Sequence, residues 1–192
     1  MAAALLLLAA VALFPVAVRA ADLEVWPEGR ASIGNKTYVC ALGRAGVKLD
    51  KREGDGATPA GSYRLRQVLF RQDKIQGPIQ TGLPLRAVAR DDGWCDDPGH
   101  SQYNRLVKLP LAASHEELWR RGDRRYDLLV VVGYNDDPVI PGKGSAIFIH
   151  IALAGYETTS GCIAFSKQDL LEIIKRLDAN SRVVIHPAQA AP

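Results

Sequence analysis

The sequence predicts a mostly β domain carrying one main helix. Three observations lead there. Many short apolar runs rich in Val and Ile recur along the chain. Gly, Pro, Asp and Asn bound most of them, as strands joined by tight turns require. A single segment near the C-terminus instead repeats its apolar residues at helical spacing.

Taken in order, the candidate strands are Leu23–Trp26, Thr37–Leu42, Ser62–Leu69, Leu85–Arg90, Leu128–Gly133, Ala146–Ala152, Cys162–Phe165 and Arg182–His186. Pro59-Ala60-Gly61, Thr81-Gly82, Asp136-Asp137-Pro138 and Pro141-Gly142 punctuate them. The helix is expected over about residues 166–178. Ser166 and Asp169 form a capping-box pattern, Leu170, Ile173, Ile174 and Leu177 make one apolar stripe, and Asn180 suits the left-handed residue that ends such a helix. A shorter helix is expected over His115 to Arg120. No internal repeat or low-complexity tract is present.

At 192 residues the chain has room for one domain with a real core. Residues 1–20 read as a secretory signal peptide: Ala2 to Val18 is almost wholly apolar, and Val18-Arg19-Ala20 offers small residues for cleavage after Ala20. The run is short for a membrane span, so the expectation is export to the periplasm or cell envelope with no stable span after cleavage. The net charge of +3 is spread over scattered basic residues, which gives no case for nucleic acid. The three cysteines suggest one pair and one free thiol in an exported protein; Cys40 and Cys95 are the candidate disulfide.

The chemistry concentrates in Ala146-Ile147-Phe148-Ile149-His150-Ile151 and Thr158-Thr159-Ser160-Gly161-Cys162. On a strand, Ile147, Ile149 and Ile151 share one face, so Phe148 and His150 take the other. The intervening loop is long enough to lay the Cys162 strand beside the His150 strand. A thiol becomes a good carbonyl nucleophile only as thiolate, and an adjacent imidazole either takes the proton or stabilises the thiolate as an ion pair. An activated thiol of this kind keeps reacting well below about pH 8. Gly161 leaves the backbone open beside the nucleophile, and the amides around Gly161 and Cys162 face a developing oxyanion. Thr159 and Ser160 are candidates to orient His150 or to donate to that oxyanion, or form a plain hydrogen-bonded turn. Tyr134 and Asn135, at the end of a strand, are candidate substrate-binding residues.

His150 followed by Thr159-Ser160-Gly161-Cys162 resembles the active-site signature of the L,D-transpeptidase catalytic domain, the YkuD-like family. That signature is a strand His, a spacer, then Ser-His-Gly-Cys, an apolar residue and Arg. Gly54-Asp55-Gly56-Ala57-Thr58-Pro59-Ala60-Gly61 resembles the family's Thr-Pro-x-Gly turn, and similarity runs from about Ile33 to about Ile185. The resemblance implies a β-sandwich-type catalytic domain over residues 21–192 that works as a monomer without cofactor. It implies that Cys162 is acylated by a peptidoglycan stem peptide, that D-Ala leaves, and that an amine acceptor then takes the acyl group. Three positions depart from the signature: Ser160 replaces the second His, Ala164 the Arg, and Ile151 the Gly after the strand His. Those departures leave His150 as the base. They also keep two other readings open: hydrolysis of the acyl-enzyme by water, and a wall-binding module with a decayed site.

Weaker patterns carry less. Asp91, Asp92 and Trp94-Cys95-Asp96-Asp97-Pro98 form an acidic turn without calcium-loop spacing, and no Cys or His spacing suits zinc, so no metal is expected. Gly142-Lys143-Gly144-Ser145 lacks the upstream glycine of a phosphate loop. His100, His115 and His186 belong to no pattern. The Gly54–Gly61 run reads as a structural turn.

Overall fold

A computed structural model describes residues 22–119 and 122–188. Its strands are β1 (Leu23–Trp26), β2 (Arg30–Ile33), β3 (Lys36–Val39), β4 (Val47–Lys48), β5 (Thr58–Pro59), β6 (Gly61–Phe70), β7 (Leu85–Ala87), β8 (Asp92–Cys95), β9 (Leu106–Lys108), β10 (His115–Glu117), β11 (Leu128–Val132), β12 (Phe148–Ile151), β13 (Ile163–Phe165) and β14 (Arg182–Ile185), with one helix, α1 (Lys167–Ile174). The predicted leader lies outside the described residues. No helix among the described residues is long and apolar enough to cross a membrane.

The principal sheet has nine strands, in the order β13-β12-β11-β6-β14-β1-β2-β3, with β7 on β6. Long β6 is shared by both halves, and the sheet rolls about it until its two ends meet. Tyr38 of β3 packs edge-on against Phe165 of β13 with ring centroids 6.4 Å apart. Beyond β3 the chain continues alongside β13, where Ala41 and Ala164 exchange backbone hydrogen bonds of 2.8 and 2.9 Å. This facing of two half-sheets is the β-sandwich-type arrangement, and it encloses a core from Leu23, Val25, Ile33, Val130, Ile149, Phe165 and the inward stripe of α1.

A smaller sheet, β10-β8-β9, covers the opposite face of β11 and β12. Between them lies a second core of Trp94, Leu118, Tyr126, Leu129, Val131, Phe148 and Cys162. Apolar residues therefore bury both faces of β11, which explains its unbroken Leu-Leu-Val-Val-Val run.

Several boundaries move. α1 begins as expected, with the Ser166 hydroxyl accepting from the Asp169 N–H, but it stops at Ile174. The chain then turns through Asp178–Ser181, where the Asp178 N–H donates to Ser181 Oγ, so Asn180 does not cap the helix. The short helix expected over His115 to Arg120 is instead strand β10, paired with β8 at His115–Glu117, while Arg120 lies outside the described residues. The acidic segment before Pro98 is partly strand: Asp92–Cys95 is wholly buried. Cys40 and Cys95 form no disulfide, since both are buried free thiols. They sit apart, Cys40 in the main core beside β3 and Cys95 on β8 of the smaller sheet.

Candidate active site

The His150 and Cys162 strands are neighbours. β12 and β13 pair in parallel, with Ile149 opposite Ile163 and His150 opposite Ala164. Cys162 lies two residues before Ala164, so its side chain takes the same face as His150, as a diagonal neighbour. The Phe148 N–H donates to Cys162 Sγ at 3.4 Å, and the thiol donates to the Ala146 carbonyl at 3.3 Å. Both residues line one polar cavity of about 240 Å³.

The imidazole is 3% exposed and tightly placed. His150 Nδ1 lies 2.9 Å from the Ile151 carbonyl. A carbonyl oxygen only accepts, so Nδ1 carries the hydrogen and the lone pair of the neutral ring falls on Nε2. Tyr126 packs edge-on against the ring at 5.6 Å and against Phe148 at 5.8 Å. Trp94 closes on Phe148 at 5.1 Å. Cys162 is buried in the same small core, and that burial pushes its thiol up to about 12. Burial thus favours the neutral thiol of Cys162 over its thiolate.

The turn carrying Cys162 is held from several sides. Thr159 Oγ1 accepts from the Gly161 N–H at 3.1 Å and donates to the Cys162 carbonyl at 2.7 Å. Gly161 has φ of 136°, and a Cβ there would stand 2.7 Å from the Ala57 carbonyl oxygen. Only glycine meets both demands. The Gly54–Gly61 run is consequently the platform under the Cys162 turn. A buried ion pair braces it, with Lys51 Nζ 2.6 Å from Asp55 Oδ1, which also accepts from the Ala57 N–H.

A model of the L,D-transpeptidase catalytic domain, YkuD, matches residues 16–185. The chain belongs to the L,D-transpeptidase catalytic domain family. No curated protein matches it. Among solved structures, an L,D-transpeptidase from Mycobacterium tuberculosis is 12% identical over 88% of this chain and 58% of its own, with a TM-score of 0.45. L,D-transpeptidase 3 from the same organism, in complex with a faropenem-derived adduct, is 12% identical over 88% and 60%, at 0.43. The helical cell shape determining protein Pgp2 from Campylobacter jejuni is 18% identical over 89% and 49%, at 0.47. The chain thus spans between 49% and 60% of the length of these three structures.

In this L,D-transpeptidase domain Thr159, Ser160, Cys162 and His150 line one cavity, and Gly161 lies in the turn between Ser160 and Cys162. The hydroxyls of Thr159 and Ser160, however, bond elsewhere than to His150: Thr159 locks the turn, and Ser160 Oγ accepts from Arg44 at 3.2 Å. Tyr134 and Asn135 do not reach the cavity wall. Tyr134 packs edge-on against Tyr63, and the Asn135 amide ties the 135–144 loop through Ile140 and Gly144.

The wall contains residues that sequence reasoning missed. Glu53 accepts from Ser145 Oγ at 2.6 Å and from the Tyr103 hydroxyl at 2.5 Å. Asn104, 3% exposed, accepts from Trp94 Nε1 and the Ala146 N–H while donating to the Tyr134 and Asn135 carbonyls. Asn104 thereby fixes Ala146, a non-glycine residue at φ of 52° whose carbonyl receives the thiol hydrogen. Glu53 and Ser145 were marked at most by adjacency to the glycine turn and the His150 strand. Glu116, Arg125 and Tyr126 reach the cavity from the smaller sheet and its exit, with no local pattern to reveal them. Among the described residues no group of three or more His, Cys, Asp or Glu could hold a metal ion.

Proposed function

We propose that this L,D-transpeptidase domain is an exported, cofactor-independent cysteine acyltransferase acting on peptidoglycan stem peptides. One observation carries the reading: a thiol and a tautomer-fixed imidazole share one face of adjacent parallel strands and one cavity. The stem-peptide carbonyl enters the cavity and Cys162 Sγ attacks it while the thiol proton passes to His150 Nε2. The Gly161 N–H is committed to Thr159, which leaves the Cys162 N–H to face the oxyanion. The imidazolium then protonates the departing D-Ala amine, giving a thioester. An amine acceptor attacks that thioester while His150 takes up its proton; the C–S bond breaks, and the imidazolium returns the proton to the Cys162 sulfur as the new amide leaves.

Intact-mass analysis with a carbapenem tests the acyl-enzyme. Wild type gains one covalent adduct and Cys162→Ala gains none; folded wild type that stays unmodified overturns the reading. A second outcome, hydrolysis, is favoured by Ser160 and Ala164 standing where the family signature has His and Arg. Products from purified stem peptides decide it: cross-linked or amino-acid-exchanged species mean transfer, and shortened peptides mean that water is the acceptor.

A further inference from the structure

We infer that Arg44 holds the terminal carboxylate of the acyl donor and so determines which peptides the cavity accepts. This rests on the acyl-transfer reading and adds a residue to it. The segment after β3 is stitched to the turn that carries the nucleophile. The Thr159 N–H donates to the Leu42 carbonyl at 2.9 Å, the Arg44 N–H to the Thr159 carbonyl at 2.9 Å, and the Ala45 N–H to the Gly56 carbonyl at 3.1 Å. These bonds fix the Arg44 backbone across from Cys162, and its guanidinium reaches the cavity wall.

The guanidinium lies over Gly56, where a Cβ would approach Arg44 Cζ to 2.7 Å, so the absence of a side chain makes its berth. Its hydrogen bond goes to a neutral hydroxyl, Ser160 Oγ. Among the described residues the other two Lys or Arg side chains of the wall are already matched to carboxylates: Lys51 to Asp55 at 2.6 Å and Arg125 to Asp123 at 2.8 Å. Arg44 has no carboxylate partner among the described residues. A guanidinium offers five N–H donors in a planar fork suited to a carboxylate. Glu53, Asp96 and Glu116 are the acidic residues among the described wall, and Arg44 stands on its Ser160 side, where the acidic end of a peptide meets a cation. Ala164 supplies no charge from the strand itself, so the cation arrives from a neighbouring segment instead.

The test uses Cys162→Ala protein, which binds without reacting. Calorimetry compares stem tetrapeptides ending in D-Ala, with L-Lys or meso-diaminopimelate third, as free acids and as primary amides. The expected result is about a tenfold preference for the acid, as a charge-assisted bidentate contact gives. Arg44→Met, a change at an exposed side chain, reduces that preference to about one, and Arg44→Lys keeps part of it. An acid preference that survives Arg44→Met, equal binding of acid and amide, or no binding of either acid at millimolar concentration overturns the inference. Arg44-dependent acid preference in a protein whose wild type forms no acyl adduct keeps the carboxylate site and overturns acyl transfer instead.

Discussion

The protonation state of Cys162 is open to direct measurement. Burial raises its thiol from 9.0 to about 12, and the Phe148 N–H only partly offsets this. Three pH units correspond to about 4 kcal/mol favouring the neutral form. Only the thiolate alkylates. At about pH 8 an ordinary thiol of this type is roughly one-tenth ionised and Cys162 roughly one part in ten thousand, a thousandfold deficit. Iodoacetamide modification, assigned to Cys162 by peptide mapping, follows this across pH. The narrow cavity slows the reagent at every pH, so the slope decides: the logarithm of the rate should climb with unit slope from about pH 6 to 10. Half-maximal reactivity at about pH 8–9 means an ordinary thiol, and a plateau reached below about pH 7 means a thiolate–imidazolium pair; either refutes the reasoning. Unit slope means that the thiol is neutral at rest, so the proposed acylation needs a base to take its proton, the role proposed for His150.

Other consequences can be checked alongside. His150→Ala should slow carbapenem acylation by about 10²–10⁴-fold, read by time-resolved intact mass, while the alkylation slope of Cys162 stays the same. Burial also pushes the Cys40 thiol up to about 12. Both folded thiols titrate above their unfolded values, so the unfolded chain loses its protons first; their stability contribution is full below about pH 9 and falls toward pH 12, by about 1.4 kcal/mol per unit for each group. Urea midpoints at about pH 8 and pH 10 should differ less in Cys40→Ala/Cys162→Ala than in wild type. Asn104→Ala removes the bonds to Trp94, Ala146, Tyr134 and Asn135, and should cost about 2–4 kcal/mol by urea unfolding and slow acylation by releasing Ala146. Desolvation opposes the Asp92 carboxylate, but the Ala89 N–H, Lys108 and Arg86 outweigh it and hold its carboxyl below the usual range. Its contribution is present above its unfolded value and lost as pH falls, so Asp92→Asn should cost about 1–3 kcal/mol at neutral pH and flatten the acid limb of stability.

Local pattern alone determined the strands whose burial is regular and the start of α1. Ile147, Ile149 and Ile151 alternate with Phe148 and His150 because a strand has period two, and that alternation already assigned His150 to the face opposite the isoleucines. The Ser166 cap and Gly161 were legible for the same reason: each acts on its immediate neighbours. Short β2 and β8 were not, because Arg30-Ala31-Ser32-Ile33 and Asp92-Gly93-Trp94-Cys95 become strands through partners rather than through their own propensity. Only the tertiary structure decided the rest. It rolled the sheet so that Ala41 meets Ala164, brought Arg44 to the Thr159–Cys162 turn, and laid the smaller sheet over Phe148 so that the sulfur is buried. Sequence spacing encodes which face a side chain takes. It does not encode which distant segment closes over that face, and here that cover is what buries the Cys162 thiol.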